Sequence, residues 1–218
     1  HMTKRLVVVD NASIDDTPQV VSGLQQEFYR HQIEYIQEAV PGLLSGRHRG
    51  ALEARGEILV FVDDDIQATP KWLASIAESF TDPSVQLVGG KSTPLYEVEP
   101  PRWLEHYWTV TPDGGRTCGW LSLLDLGRKP KDIDANYVWG LNFSIRRQTL
   151  VDLGGFHPDC IPADLQKFQG DGENGLTMKA NRSGCRTVYQ PGAAILHVIP
   201  AARLTVEYFE QRAYYQGV

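Results

Sequence analysis

"EILVFVDDDIQATPKWL" (57–73) carries an apolar segment into three consecutive aspartates and then into Thr69-Pro70. The run 57–62 is continuous rather than alternating, which is the pattern of a central parallel strand buried on both faces. A hydroxyl at the N-cap position and a proline in the first turn predict a helix after it. Trp72, Leu73, Ile76, Ala77 and Phe80 then fall on one face of that helix. Strand, acidic loop and helix make one unit of an alternating α/β sheet, and such sheets hold ligands at the carboxyl ends of their strands. Asp63, Asp64 and Asp65 repel one another there unless a cation offsets them. Carboxylates are hard ligands suited to Mg2+ or Mn2+, which take phosphate oxygens as further partners. The plain alternative is a solvated acidic loop that caps the helix.

The same alternation extends to both sides. "RLVVVD" (5–10) predicts a buried strand ending on an acid, followed by a helix from about Thr17 to His31. "IEYIQE" (33–38) predicts a strand, and "LLSGRHRGALEAR" (43–55) a helix that stops at Gly56. "VQLVGG" (85–90) is a further strand. The stretch from about 92 to 135 breaks the pattern: Pro94, Pro100, Pro101 and "PDGG" alternate with Trp103, Tyr107, Trp108 and Trp120. Its aromatics predict a packed insertion. Beyond it, 137–147 returns to order, with a helix near 147–153 and another over 172–184. "CRTVYQ" (185–190) and "AAILHVI" (193–199) read as two strands, and 203–217 as a closing amphipathic helix.

Composition bounds the function. With 218 residues, 42% hydrophobic and 22% charged, the chain has the make-up of a globular protein with a sizeable core. Its apolar runs are strand-sized, well short of the ~20 residues of a membrane helix. No signal-peptide pattern opens it, and His1-Met2 reads as an expression remnant. A formal net charge of -6 argues against a nucleic-acid partner. Cys118, Cys160 and Cys185 lie far apart without a CxxC pair, which disfavours a disulfide framework or structural zinc and suits a reducing cytoplasm.

"LVVVDNASIDDT", "GLLSGRHRGALEARGEILVFVDDDIQATPKWL", "GLNFSIRRQTLVDLGGF" and "GDGENGLTMKANRSGCRTVYQPGAAILH" occur in this order. Together they resemble the family 2 glycosyltransferases, inverting enzymes of GT-A fold. The resemblance implies a Rossmann-like mixed α/β sheet flanked by helices, here starting at the strand that comes second in the family. It implies one domain over 1–218, with a nucleotide-binding part at about 4–91, the insertion, and an acceptor and catalytic part at about 136–218.

By that resemblance Asp10 matches the acid that reads the nucleotide base, and Asn11 and Ser13 its neighbours. Arg47 matches an arginine near the nucleotide, with His48 where the family often has asparagine. Asp63 and Asp65 match the ends of the DxD motif, Asp65 as metal ligand and Asp63 at the ribose or the metal. Asp64 between them adds hydrogen bonding. His197 matches a metal-binding histidine that the family often places at the end of this strand. Mn2+ or Mg2+ is the implied cofactor, neutralising the departing diphosphate. Inversion at an anomeric carbon needs a base for the acceptor hydroxyl. The family's acidic pair falls on the Asp171–Glu173 segment, with Glu173 as the base and Asp171 as second candidate. The implied partners are a nucleoside-diphosphate sugar and an acceptor hydroxyl on a glycan, lipid-linked or small molecule, as in cell-surface polysaccharide synthesis. Any membrane association would run through the acceptor only, at the inner face.

Each assignment has a structural counterpart. Asp10 also suits a turn or cap, and Arg47 a solvated helix face. Glu173 suits a helix N-terminus, while His197 and Trp139 suit the core. A haloacid-dehalogenase-like phosphatase would also use "VFVDDDIQ", but Gln67 stands where that superfamily has threonine. A dinucleotide-binding dehydrogenase is disfavoured, since no GxGxxG follows a strand. A non-catalytic sugar-nucleotide-binding module is the third alternative.

Overall fold

The structure, a computed structural model, describes residues 4–156 and 173–216. In chain order its elements begin with β1 (Arg5–Asp10), α1 (Thr17–Glu27), β2 (Gln32–Gln37), α2 (Leu43–Glu53), β3 (Ile58–Val62) and β4 (Ile66–Ala68). There follow α3 (Trp72–Ser79), β5 (Val85–Tyr96), β6 (Thr109–Val110), β7 (Arg116–Cys118), β8 (Leu123–Asp125) and β9 (Lys131–Asp132). The last are β10 (Asn142–Arg146), α4 (Arg147–Asp152), α5 (Glu173–Arg182), β11 (Arg186–Ile199) and α6 (Val206–Gln216). The chain divides into two compact units, 1–59 with 146–172, and 60–145 with 173–218. Among the described residues no helix is long and apolar enough to cross a membrane.

In the first unit β1 and β2 pair in parallel from Arg5 opposite Gln32 to Asp10 opposite Gln37. A parallel pair needs a crossover, and α1 supplies it. Helix α1 ends at Glu27 rather than near His31, because the backbone closes a tight turn there: His31 N–H donates to Phe28 O at 2.8 Å. Helix α2 packs on β1, where a Cβ on Gly50 would lie 3.5 Å from Val9 Cγ2. It stops when Ala54 turns extended at φ -69° and ψ 134°, two residues before Gly56.

The second unit is built on a nine-stranded sheet with the path β3-β10-β5-β8-β7-β6, to which β11 adds by pairing β4, β5 and β9. The sheet is mixed: β11 runs parallel to β5 and antiparallel to β4 and β9. Strand β3 ends the path rather than lying in its middle, and its residues are mostly half-buried. Continuous apolar patterning reports neither the number of neighbouring strands nor full burial of both faces: only Leu59 of β3 is buried. The two strands expected over 185–199 are one strand, β11, with a register shift: Gln190 faces Gly90, yet Ile195 faces Ser92. The loop thrown out by the shift packs closely. A Cβ on Gly90 would sit 1.8 Å from Ala193 O, so only glycine fits there. Asn142 ties the region, donating Nδ2 to Ala193 O at 2.8 Å and accepting Trp72 Nε1 at 2.9 Å.

The 92–135 stretch is folded. Strand β5 runs on to Tyr96, and β6, β7 and β8 form an antiparallel meander. Its aromatics close against α6: Trp103, Tyr107, Trp108 and Trp120 surround Leu104, Leu121 and Phe209, with Trp120 stacked on Phe209 at 5.8 Å. Such offset ring contacts add about 0.5–1.5 kcal/mol each beyond the burial itself.

Candidate active site

In the first unit the β1 strand end delivers Asp10, which is 3% exposed. Its Oδ1 accepts Ser13 N–H at 2.8 Å and its Oδ2 accepts the Tyr35 hydroxyl, reaching across from β2. Bonds from Ser13, then from Tyr35, hold the Asp10 carboxyl below its usual range, and the bond to Asp10 pushes the Tyr35 hydroxyl up. The loop is strained, with Ala12 at φ 58°, a conformation that side chains other than glycine rarely take. Asn11 is a pin for the backbone: Nδ2 donates to Val40 O at 2.6 Å, and Oδ1 accepts Gly42 N–H at 2.7 Å. Arg47, 7% exposed on α2, lies with its guanidinium 5.9 Å from the Phe156 ring centre, and His48 meets the same ring edge-on.

In the second unit the three aspartates separate. Asp64 is exposed, whereas Asp63 and Asp65 are half-buried. Strand β4, too short to be legible in the sequence, turns back from Asp65 and pairs with β11, setting Ile66 opposite His197. The carbonyl of Asp65 accepts Val198 N–H at 2.9 Å, which locks that register. Asp65 Oδ2 and His197 Nε2 thereby lie 3.2 Å apart. His197, 5% exposed, contacts Leu121 O through Nδ1 at 2.9 Å. A carbonyl can only accept, so Nδ1 carries a proton, while Nε2 faces the donor Arg203 rather than a second acceptor alone. Arg203, in the helical turn after β11, places Nη1 3.0 Å from Asp65 Oδ2 and 3.1 Å from His197 Nε2.

These residues fit a divalent cation. Two acceptors converge on a position already taken by positive charge, and Asp65 Oδ1 is buried without a hydrogen-bond partner among the described residues. Asp63 does not complete a cluster: among the described residues no three His, Cys, Asp or Glu side chains converge on one point. Mn2+ and Mg2+ tolerate this, since they keep waters or take substrate phosphates as ligands.

Glu173 opens α5 and is 5% exposed, with Oε1 accepting Gly140 N–H at 2.7 Å. Asp171 lies outside the described residues. Trp139 donates Nε1 to Asn136 O at 3.0 Å and packs on Leu124, Leu126 and Tyr189.

The model of the glycosyl transferase family 2 matches residues 1–153. The chain belongs to this family. That membership sets aside the phosphatase reading of the aspartates. A glucosyl-dolichyl phosphate glucuronosyltransferase of Haloferax volcanii is 23% identical over 210 residues, covering 91% of this chain and 64% of that protein. Among solved structures, mannosyltransferase PcManGT from Pyrobaculum calidifontis, in complex with GDP-Man and Mn2+, superposes with TM-score 0.64 at 21% identity. It covers 97% of this chain and 52% of its own. GalNAc-T7 with UDP, GalNAc and Mn2+ superposes with TM-score 0.61 at 15% identity, covering 98% and 41%. The fold is that of the GT-A glycosyltransferases. The chain spans less than two thirds of each of these three proteins.

Several site residues carried no usable signal in the sequence. Tyr35 sits in an ordinary alternating strand, and the Gly140 N–H and Leu121 carbonyl are backbone groups. Arg203 stands among alanines six residues after His197, at a spacing that no motif marks.

Proposed function

We propose that this family 2 chain catalyses metal-dependent, inverting transfer of a sugar from a nucleoside-diphosphate sugar to an acceptor hydroxyl. The observation that carries the proposal is the 3.2 Å approach of Asp65 Oδ2 and His197 Nε2, two acceptors directed at a cation position. Asp65 and His197 would hold Mn2+ or Mg2+, with Asp63 at the metal or ribose. The bound ion would supply electrophilic stabilisation of the diphosphate charge. Asp10, Asn11, Ser13 and Arg47 serve the nucleoside, Asp10 as the acceptor for base N–H groups. Glu173 accepts the proton of the acceptor hydroxyl, and its buried position favours a directed transfer over exchange with water. Asp171 is the second candidate for that base. In this proposal the protein works in the cytoplasm and meets the membrane only through a lipid-linked acceptor.

A screen of nucleoside diphosphates and their sugars with Mn2+ or Mg2+ tests this, because a ligand of the native state raises the thermal midpoint. A rise for one nucleotide that depends on the metal is the expected result. No rise for any nucleotide with either metal would remove the proposal.

A further inference from the structure

We infer that Arg203 is a built-in competitor for the divalent cation, holding Asp65 and His197 together when the metal is absent and leaving when it binds. The inference rests on the metal site proposed above and concerns a residue that site does not include. The argument is one of donors and acceptors. His197 Nδ1 donates to the Leu121 carbonyl, and Nε2 meets a guanidinium that can only donate, so Nε2 offers it one in-plane lone pair. Arg203 Nη1, a donor only, lies 3.1 Å from that nitrogen and 3.0 Å from Asp65 Oδ2. A single lone pair serves either the guanidinium or a metal ion, never both. Without the guanidinium, Asp65 Oδ2 and His197 Nε2 would face each other as bare acceptors at 3.2 Å. Arg203 thus supplies the positive charge that keeps the pair assembled.

The side chain is also placed to leave. Arg203 is 34% exposed, against 6% for the His197 side chain, and follows the strand in a short helical turn. Its departure costs an ion pair already partly solvated, a weak penalty by the measure of such pairs. The cation arriving in its place gains the same two acceptors and Asp65 Oδ1, which is without a hydrogen-bond partner among the described residues.

Mn2+ titration of the purified chain, followed by the electron paramagnetic resonance of free Mn2+, tests this without a turnover assay. Arg203→Ala should bind Mn2+ roughly two- to fivefold more tightly than the wild type. Arg203→Lys should lie between them, because an ammonium keeps the charge without the planar fork. Arg203→Ala should also lower the thermal midpoint of the metal-free protein more than that of the Mn2+-loaded protein, since the contacts exist only before metal binds. Should the alanine variant fail to fold, Arg203→Lys carries the test, and tighter Mn2+ binding by it supports the inference. Equal or weaker Mn2+ binding by the folded variants overturns it while leaving the metal site standing. No Mn2+ binding by any form overturns both.

Discussion

The Glu173 carboxylate accepts the Gly140 backbone N–H at 2.7 Å, joining the first turn of α5 to the loop that leads into β10. Oε1 is thereby held in one orientation, and the N-terminal end of a helix favours its negative charge. Glutamine keeps an oxygen for the same N–H but cannot take a proton. Glu173→Gln should leave the thermal midpoint nearly unchanged and lower turnover about 10²–10⁴-fold, with nucleotide binding retained. Steady-state kinetics beside a binding isotherm check this. Wild-type turnover in the variant would move the base role away from Glu173, and no turnover by the unsubstituted protein would favour the binding-module alternative.

The aspartate triplet should respond unevenly. Asp65 contacts His197 and Arg203, whereas Asp64 is exposed. Asp65→Asn should weaken Mn2+ binding at least about tenfold. Asp64→Asn should change it less than about twofold, as solvated surface substitutions do. Isothermal titration of both variants tells them apart, and equal losses would contradict the asymmetry.

Tyr35 and Asp10 make stability depend on pH. Asp10 is held below its ordinary value of 3.8 by Ser13 and Tyr35. A depressed carboxyl contributes stability that is fully present above the unfolded pKa and lost as pH falls through the folded one. Tyr35→Phe removes one of the two supports. Its thermal midpoint should therefore fall below that of the wild type at pH 7, with the gap narrowing as pH drops below 3.8. Melting curves from pH 7 downward measure the gap, and a constant difference would show that the hydroxyl acts by packing alone.

Phe209 tests whether the aromatic insertion and the last helix form one core. It is 3% exposed and touches Trp103, Tyr107 and Trp120. Phe209→Ala should cost about 3–5 kcal/mol by leaving a cavity among rigid rings. Urea unfolding gives the value, and a loss below about 1 kcal/mol would mean the site collapses without penalty.

Local patterns in this chain place most elements and miss some of their ends. The apolar run before Asp10 is β1, the run before Asp63 is β3, and the arginine-bearing segment after Pro41 is α2. Each is set by side-chain periodicity within a dozen residues, and the ordered motifs carried the family and the candidate acids. What the sequence could not express is register. The shift in β11 spends five residues, 190 to 195, against two of β5, 90 to 92. That odd offset of three exchanges the faces of every later residue in the strand, His197 included.

Only the tertiary structure decides that β4 turns Asp65 back onto His197, 132 positions away, and that Arg203 enters between them. The sequence by itself determined which acids end which strands, because a strand end is a local event. Which of those acids meets a histidine and an arginine depends on pairing between distant strands, where a one-residue slip changes the answer and no local pattern records it.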